Sequence, residues 1–204
     1  MKFIKWKSLI VTCIVCLLPI ILGLVLWNDL PDKIAIHFNF YNQPDNFTSK
    51  GFSVFGLPVM MMFLQIVCCI INDIDAKKHG DCKNFEAPAK WLIPFMAVVL
   101  QTVILCYALG WNIDIRKVVA VILGVVFLVI GICLSKCDYV KNHDVDTEKA
   151  RKINKFIGYE TVIMGILILL TIFLPPVATI IWLILLLPYT ALGIIYGIKV
   201  AKND

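Results

Sequence analysis

The sequence predicts an all-α polytopic membrane protein with six transmembrane helices. Of its 204 residues, 60% are hydrophobic and only 16% are charged, and the mean hydropathy is +0.88. A soluble domain is roughly half apolar and about a quarter charged, so much of this chain must face lipid. Its apolar runs are long enough to cross the ~30 Å hydrocarbon core of a bilayer as helices.

The predicted spans follow one another with short connections. They cover residues 8–27, 52–71, 91–110, 118–134, 156–174 and 177–198. The first span ends at Trp27, a residue type typical of the membrane interface. Because this run exceeds the core of a signal peptide, about 7 to 15 residues, and lacks a small-residue cleavage site, we expect it to be retained. Pro175 and Pro176 cannot continue a helix, so they predict a turn before the last span.

The basic residues predict the orientation of the spans. Fifteen of the nineteen Lys and Arg residues lie in the two termini and in the loops 72–90 and 135–155, and four lie on the other side. Lys and Arg in short loops are retained in the cytoplasm, so both termini are predicted to be cytoplasmic. The loop 28–51 then faces outward. We divide the chain into a two-span region, 1–71, and a four-span region, 72–204.

The cytoplasmic loop 135–155 carries the densest charge in the chain. Its acidic residues precede its basic ones, an order that suits a helix dipole, and we expect a helix to begin near Asp146 and to continue into the fifth span. The bases are candidates for docking a cytoplasmic partner, or they act only as a topology signal attracted to anionic lipid. They are Lys149, Arg151, Lys152 and Lys155. Although the net charge is +5, this distribution does not indicate a nucleic-acid partner.

The outward loop has the alternation of a strand with one apolar face. Ile34, Ile36, Phe38 and Phe40 alternate with more polar residues, and a turn is expected around Pro44. The polar candidates in this loop are His37, Asn39, Asp45, Ser49 and Lys50. We interpret them as a hydrogen-bond network, with ligand recognition and catalysis as alternatives. One His falls short of a usual metal-ligand set, so no metal or cofactor is predicted.

Polar groups at membrane depth are few: Gln65, Gln101 and Glu160. The two glutamines suit hydrogen bonds between helices. Glu160 lies near the start of its span, where it can pair with Lys155 or Lys152 or serve a proton relay. Gly193 and Gly197 have a spacing that suits close helix packing, within one copy or between copies, so no oligomeric state is assigned.

A family resemblance is carried by an ordered set of residues in the outward loop. The set comprises Leu30, Pro31, Ile34, His37, Phe38, Asn39, Pro44, Asp45, Ser49 and Lys50. It resembles the pattern LPxxIPxHFNxxGxPDxxxSK of the SdpI-like proteins, bacterial immunity proteins against a sporulation-delaying toxin. Ala35 and Asn42 stand where the pattern has Pro and Gly, and Asn still permits a positive φ. The resemblance covers residues 8–71. A GIRTPWT segment that SdpI-like proteins carry further on is absent.

The resemblance implies the function that we expect. It is a bacterial plasma-membrane protein that protects its host from a membrane-active peptide toxin and also signals to a cytoplasmic repressor. The expected partners are therefore the lipid bilayer, a secreted peptide and that repressor. We do not expect an enzyme. The alternatives are a transporter or channel for a small solute and, from a third class, a membrane enzyme that uses His37.

Overall fold

The computed structural model describes residues 4–39, 41–79, 82–137, 147–179, 181, 182 and 184. Its helices are α1 (Trp6–Val25), α2 (Lys50–His79), α3 (Lys83–Ala108), α4 (Ile115–Ser135) and α5 (Thr147–Leu170), and its strands are β1 (Lys33–Phe38) and β2 (Pro44–Ser49). The chain divides into two compact units. The first comprises Met1–Ile74 and Lys90–Arg116, and the second comprises Asp75–Ala89 and Lys117–Asp204.

Within the described residues, five helical segments are long and apolar enough to cross a membrane. They are Trp6–Val25, Lys50–Lys78, Asn84–Ala108, Ile115–Ser135 and Arg151–Phe173. These segments match the first five predicted spans, so a multi-pass helical protein is confirmed in outline. The sixth predicted span, 177–198, lies largely outside the described residues, as do Gly193 and Gly197.

Helices α2 and α3 run well beyond the apolar segments that predicted them. We expected a solvated loop over 72–90, but α2 continues to His79 and α3 begins at Lys83. At about 1.5 Å per residue, the 30 residues of α2 extend about 45 Å, more than the hydrocarbon core requires. Hydropathy predicts only the part of a helix that lies in the hydrocarbon core. The backbone hydrogen bonds of the helix can continue beyond it into water. The connection between the two helices is therefore much shorter than predicted.

Helix α5 is described from Thr147, the first residue after the gap, and continues to Leu170, so the expected continuation of a helix into the fifth span is confirmed. The predicted start near Asp146 lies outside the described residues. A 3-10 turn, Thr171–Phe173, follows, and Leu174 is extended with ψ 145°. The residue before a proline is pushed out of the helical region, so Pro175 ends this helix as predicted.

Within the loop 28–51, residues 33–49 form a two-stranded antiparallel hairpin, which we call the motif hairpin. One strand was expected here, followed by a turn at 42–45 and a second short turn before the next span. The chain does turn at Tyr41 and Asn42, but the expected second turn is wrong, because Pro44–Ser49 is a strand. The register pairs Lys33 with Ser49 and Ala35 with Phe47, and it is irregular between Ala35 and His37. This bulge shifts the alternation, so Ile36 is 43% exposed instead of lying on the buried face with Ile34.

The core of the first unit lies beneath the motif hairpin. Leu30, Ile34, Val54 and Leu105 are buried together. They pack with Leu22, Leu26, Trp27, Ile104, Ala108 and Leu109. The Phe38 ring meets Tyr107 edge to face, with 4.7 Å between ring centroids. The hairpin is therefore fixed to the ends of α1, α2 and α3 by apolar packing.

In the second unit, α4 and α5 approach at backbone contact through glycines. A Cβ added to Gly131 would lie 2.6 Å from the Gly158 carbonyl oxygen, and one added to Gly165 would lie 2.9 Å from the Gly124 carbonyl oxygen. The pairing order shows that the two helices are antiparallel. We call these four residues the glycine seam. Near its end, Cys82 and Cys137 form a disulfide with 5.6 Å between their Cα atoms.

Candidate functional site

The exposed face of the motif hairpin carries a histidine and a carboxylate in direct contact. His37 Nδ1 lies 2.5 Å from Asp45 Oδ1, with 66% and 44% of the two side chains exposed. His37 lies opposite Asn46 in the register, beside Asp45, so the strand pairing itself brings the two groups together. A contact between side chains this exposed contributes little to stability, because water competes for both groups. The pair is thus available to an external ligand.

Asn39 organises the turn between the strands. Its Oδ1 accepts hydrogen bonds from the backbone N–H groups of Tyr41 and Gln43, both at 3.0 Å. Its Nδ2 donates to Gln43 Oε1 at 3.2 Å. Asn favours turns because its side chain can form such hydrogen bonds to nearby backbone N–H groups, in place of a hydrogen bond between backbone groups. Asn39 therefore shapes the hairpin and does not reach outward for a ligand.

Asn42 anchors the tip of the hairpin to a distant part of the chain. Its φ is 61°, in the left-handed region that an Asn permits at this position. Its Nδ2 donates to the Ile113 carbonyl at 3.0 Å, and its Oδ1 accepts from the Ile115 N–H at 2.8 Å. Sequence reasoning noted only the conformational freedom of Asn42 and missed this anchoring role.

Ser49 and Lys50 close the base of the loop. Ser49 Oγ accepts a hydrogen bond from Phe52 N–H at 3.3 Å, so it caps the start of α2. Lys50 Nζ donates to the Trp27 carbonyl at 3.2 Å and lies 5.5 Å from the centre of the Trp27 ring. It also lies 3.6 Å from Asp32 Oδ1. Lys50 therefore ties the two ends of the loop together and does not merely extend toward water.

The loop 28–51 exposes both apolar and acidic side chains. Ile36, Tyr41 and Phe47 are 43%, 65% and 51% exposed. Asp29 and Asp32 are also exposed, along with Asp45. A large exposed apolar surface rimmed by polar groups is typical of interaction sites. Its chemistry suits a ligand that carries both apolar and positively charged groups.

A second group of polar residues is buried between α1, α2 and α3. Gln65 Nε2 lies within hydrogen-bond distance of Thr12 Oγ1, the Lys90 carbonyl and Cys69 Sγ, at 2.8, 2.8 and 3.1 Å. Below it, Lys90 Nζ lies 2.5 Å from Asp73 Oδ1, and both side chains are at most 3% exposed. Asp73 Oδ2 also accepts the Lys5 N–H at 2.9 Å, next to the start of α1. We call these residues the buried polar cluster.

Sequence reasoning found Gln65 but missed Asp73 and Lys90, which it assigned to a solvated loop. A signal was present. Gln65, Cys69 and Asp73 are spaced four residues apart, which places them on one face of a continued helix. The predicted hydrogen bonding of Gln65 and Gln101 between helices is found, since Gln101 Nε2 donates to the Ser53 carbonyl at 3.0 Å. Within the described residues, the Oε1 atoms of both glutamines are buried without a partner.

The remaining sequence candidates lie in the second unit. Glu160 is half-buried on α5 and, within the part of the chain that the structure describes, makes neither of the expected pairs, with Lys155 or with Lys152. Arg151, Lys152 and Lys155 are exposed on the first turns of α5. The side chain of Lys149 lies outside the described residues. The structure therefore does not gather the candidates into one site.

Comparison with known proteins gives one match. Residues 14–62 match a domain of unknown function, DUF1648, a membrane-associated family. The matched segment holds the second half of α1, the motif hairpin and the first turns of α2. No curated protein and no solved structure matches the chain.

Proposed function

We propose that this chain is an SdpI-like immunity protein of the bacterial plasma membrane, which protects its host from a membrane-active peptide toxin. In this proposal it has six spans, both termini are cytoplasmic and the motif hairpin faces outward. It acts by binding and not by catalysis. The proposal extends the resemblance of the loop residues to the SdpI-like pattern.

One observation supports it above the others: the motif residues build a fixed hairpin with an exposed apolar and acidic face. Lys50 closes its base, Asn42 anchors its tip and Ile34 buries its inner face. A surface held in advance loses little conformational entropy on binding. Membrane-active peptides are typically cationic and amphipathic, and the exposed carboxylates beside Phe47 and Tyr41 complement both properties.

Protection in a toxin-sensitive strain tests the proposal. Cells that express the wild-type chain should survive a cognate peptide, and Asp45→Asn/Phe47→Ser should lose most of that protection at equal membrane abundance. Lys33→Gln is the matched control, because it removes an exposed charge of opposite sign from the same hairpin and should protect at least as well. Unchanged killing of wild-type cells across a panel of cationic peptides would contradict the proposal.

Signalling to a cytoplasmic repressor is the second part of the proposal. The exposed bases of α5 lie on the side assigned to the cytoplasm and offer a docking surface for an acidic face. Peptide exposure should move a fluorescently labelled cognate repressor to the membrane. If the repressor stays in the cytoplasm of cells that are protected, the signalling part of the proposal is contradicted, whereas the immunity part is not.

A transporter or channel for a small polar solute is the second candidate, favoured by the buried, unpartnered Oε1 atoms of Gln65 and Gln101. Such acceptors suit a solute or water that donates hydrogen bonds. Flux into proteoliposomes should then fall in Gln65→Leu and Gln101→Leu and hold in Glu160→Gln if only the glutamines line the route. Flux that survives all three substitutions would exclude every site that the sequence offers.

A further inference from the structure

A groove between the end of α4 and the first turns of α5 gathers positive charge over an apolar floor. It has a volume of about 540 Å³ and is lined by Ile132, Ser135, Lys136, Arg151, Lys155, Tyr159 and Val162. All of these residues belong to the second unit. Among these described lining residues three are basic and none is acidic.

The cations of the groove are available for a ligand. Lys136, Arg151 and Lys155 are exposed, and none of them makes an ion pair within the described part of the chain. Like charges held close together repel unless an anion lies between them. Tyr159, 61% exposed, adds a hydroxyl that can donate. Ser135 is different, because its hydroxyl already donates to the Ile132 carbonyl at 2.9 Å.

The position of the groove matches the layers of a bilayer. Arg151 and Lys155 lie at the start of the span Arg151–Phe173, where headgroups are expected, and Tyr is typical of the same level. Ile132 and Val162 lie further along their helices toward the hydrocarbon core. The glycine seam brings α4 and α5 together beside the groove, so both helices hold its walls at a fixed distance.

We propose that this groove binds an anionic phospholipid, with the phosphate at Lys136, Arg151 and Lys155 and an acyl chain along Ile132 and Val162. A basic pocket between transmembrane helices recognises a lipid phosphate by charge, and the apolar floor distinguishes a lipid from a free anion. Arg151 presents a planar fork of donors that suits two phosphate oxygens, and the lysines add point charges. The inference is independent of the immunity proposal.

Binding to the purified full-length protein in a neutral detergent tests this. Phosphatidylglycerol should raise the melting temperature measured by tryptophan fluorescence, and phosphatidylcholine with the same acyl chains should bind at least tenfold more weakly. At about 1 kcal/mol for each basic residue, Lys136→Gln should weaken phosphatidylglycerol binding about fivefold, and Arg151→Gln/Lys155→Gln about 25-fold. Arg151→Lys/Lys155→Arg should keep most of the affinity and shows that the fold tolerates changes here.

Lys152→Gln is the matched control, since Lys152 is exposed on the same helix but does not line the groove. Its effect should stay within twofold. An equal loss in Lys152→Gln would overturn the site and indicate diffuse attraction. Equal binding of phosphatidylcholine would overturn the role of the phosphate. If inorganic phosphate or glycerophosphoglycerol reproduces the full stabilisation at the same concentration, the acyl chain is not recognised. That result would overturn the assignment of a lipid and indicate a site for a free anion.

Discussion

At the scale of single residues, the buried pair of Asp73 and Lys90 carries the largest energetic consequence. Both charges lie away from water at 2.5 Å, and the same carboxylate accepts the Lys5 N–H beside the start of α1. A buried pair adds little net stability over an apolar pair, but removing one partner leaves an uncompensated charge. The pair therefore joins α1, α2 and α3, and removal of either charged side chain should destabilise the packing of these helices.

We predict that Lys90→Met and Asp73→Asn each destabilise the protein by about 3 to 5 kcal/mol, and that the double variant recovers part of that loss. Thermal unfolding of the detergent-purified protein measures all three. Asp114 and Arg116 provide a control pair, because they are 3.5 Å apart and more exposed. Their coupling should stay below about 1 kcal/mol. Equal coupling in the two pairs would contradict the role of burial.

Asn42 combines a conformational and a hydrogen-bonding role that substitutions can separate. Asn42→Gly keeps the positive φ but removes the bonds to Ile113 and Ile115, at about 1 kcal/mol each. Asn42→Ala loses the same bonds and adds about 1 to 2 kcal/mol of strain in the left-handed region. We expect stability to fall from wild type to Gly to Ala, measured by the rate of proteolysis at the hairpin. A Gly variant that is cleaved as fast as Ala would show that strain is unimportant there.

Residue types predicted some of these roles and not others. The positive φ of Asn42 is a local property that an Asn permits at a turn, so the sequence could indicate it. Its bonds to Ile113 and Ile115 depend on a part of the chain 71 and 73 residues away, so the sequence could not. Asp73 and Lys90 depend on where α2 ends and on which helix lies beside it. Their burial depends on how the helices of the first unit pack together. It cannot be recognised from the sequence, because the segment 72–90 contains charges of both signs and looks like a solvated loop.

At the scale of elements, the glycine seam determines how closely α4 and α5 approach. We predict that Gly131→Ala and Gly158→Ala each cost about 1 to 3 kcal/mol, because the new methyl group would meet the backbone of the opposite helix. Melting temperatures measure the effect. Gly51→Ala is the control, since the nearest atom to its added Cβ lies 4.0 Å away. A similar loss at Gly51 would attribute the effect to helix flexibility and not to packing.

The elements themselves were predictable to different degrees. The helices could be predicted from long apolar runs, because a helix that faces lipid must be apolar over most of its length. The strand Pro44–Ser49 was missed because Pro, Asp and Asn disfavour strands, and its extended form comes from pairing with β1. The glycine seam was missed for a related reason: glycines mark close packing only when the partner helix is known.

At the scale of the whole molecule, the predicted orientation has a direct test. Cysteine placed at Asn46 on the hairpin should react with a membrane-impermeant maleimide in intact cells, because that loop is predicted to face outward. Cysteine at Lys152 should react only after permeabilisation. Membrane-embedded native cysteines such as Cys16 and Cys69 are buried and should give little background. If the cysteine at Lys152 reacts in intact cells and the cysteine at Asn46 reacts only after permeabilisation, the predicted topology is wrong and the opposite orientation is indicated.

The anchoring of Asn42 also has a consequence for biosynthesis. Its partners Ile113 and Ile115 lie 71 and 73 residues further along the chain. Ribosomes add about 5 to 20 residues per second, so the hairpin leaves the ribosome roughly 4 to 15 seconds before its anchor is made. During that interval the strand pairing, the contact of Lys50 with Trp27 and the packing of Ile34 against α1 and the start of α2 hold its shape without the Asn42 anchor. The completion of α3 and of the connection after it is therefore the step of synthesis at which the tip of the motif hairpin becomes anchored.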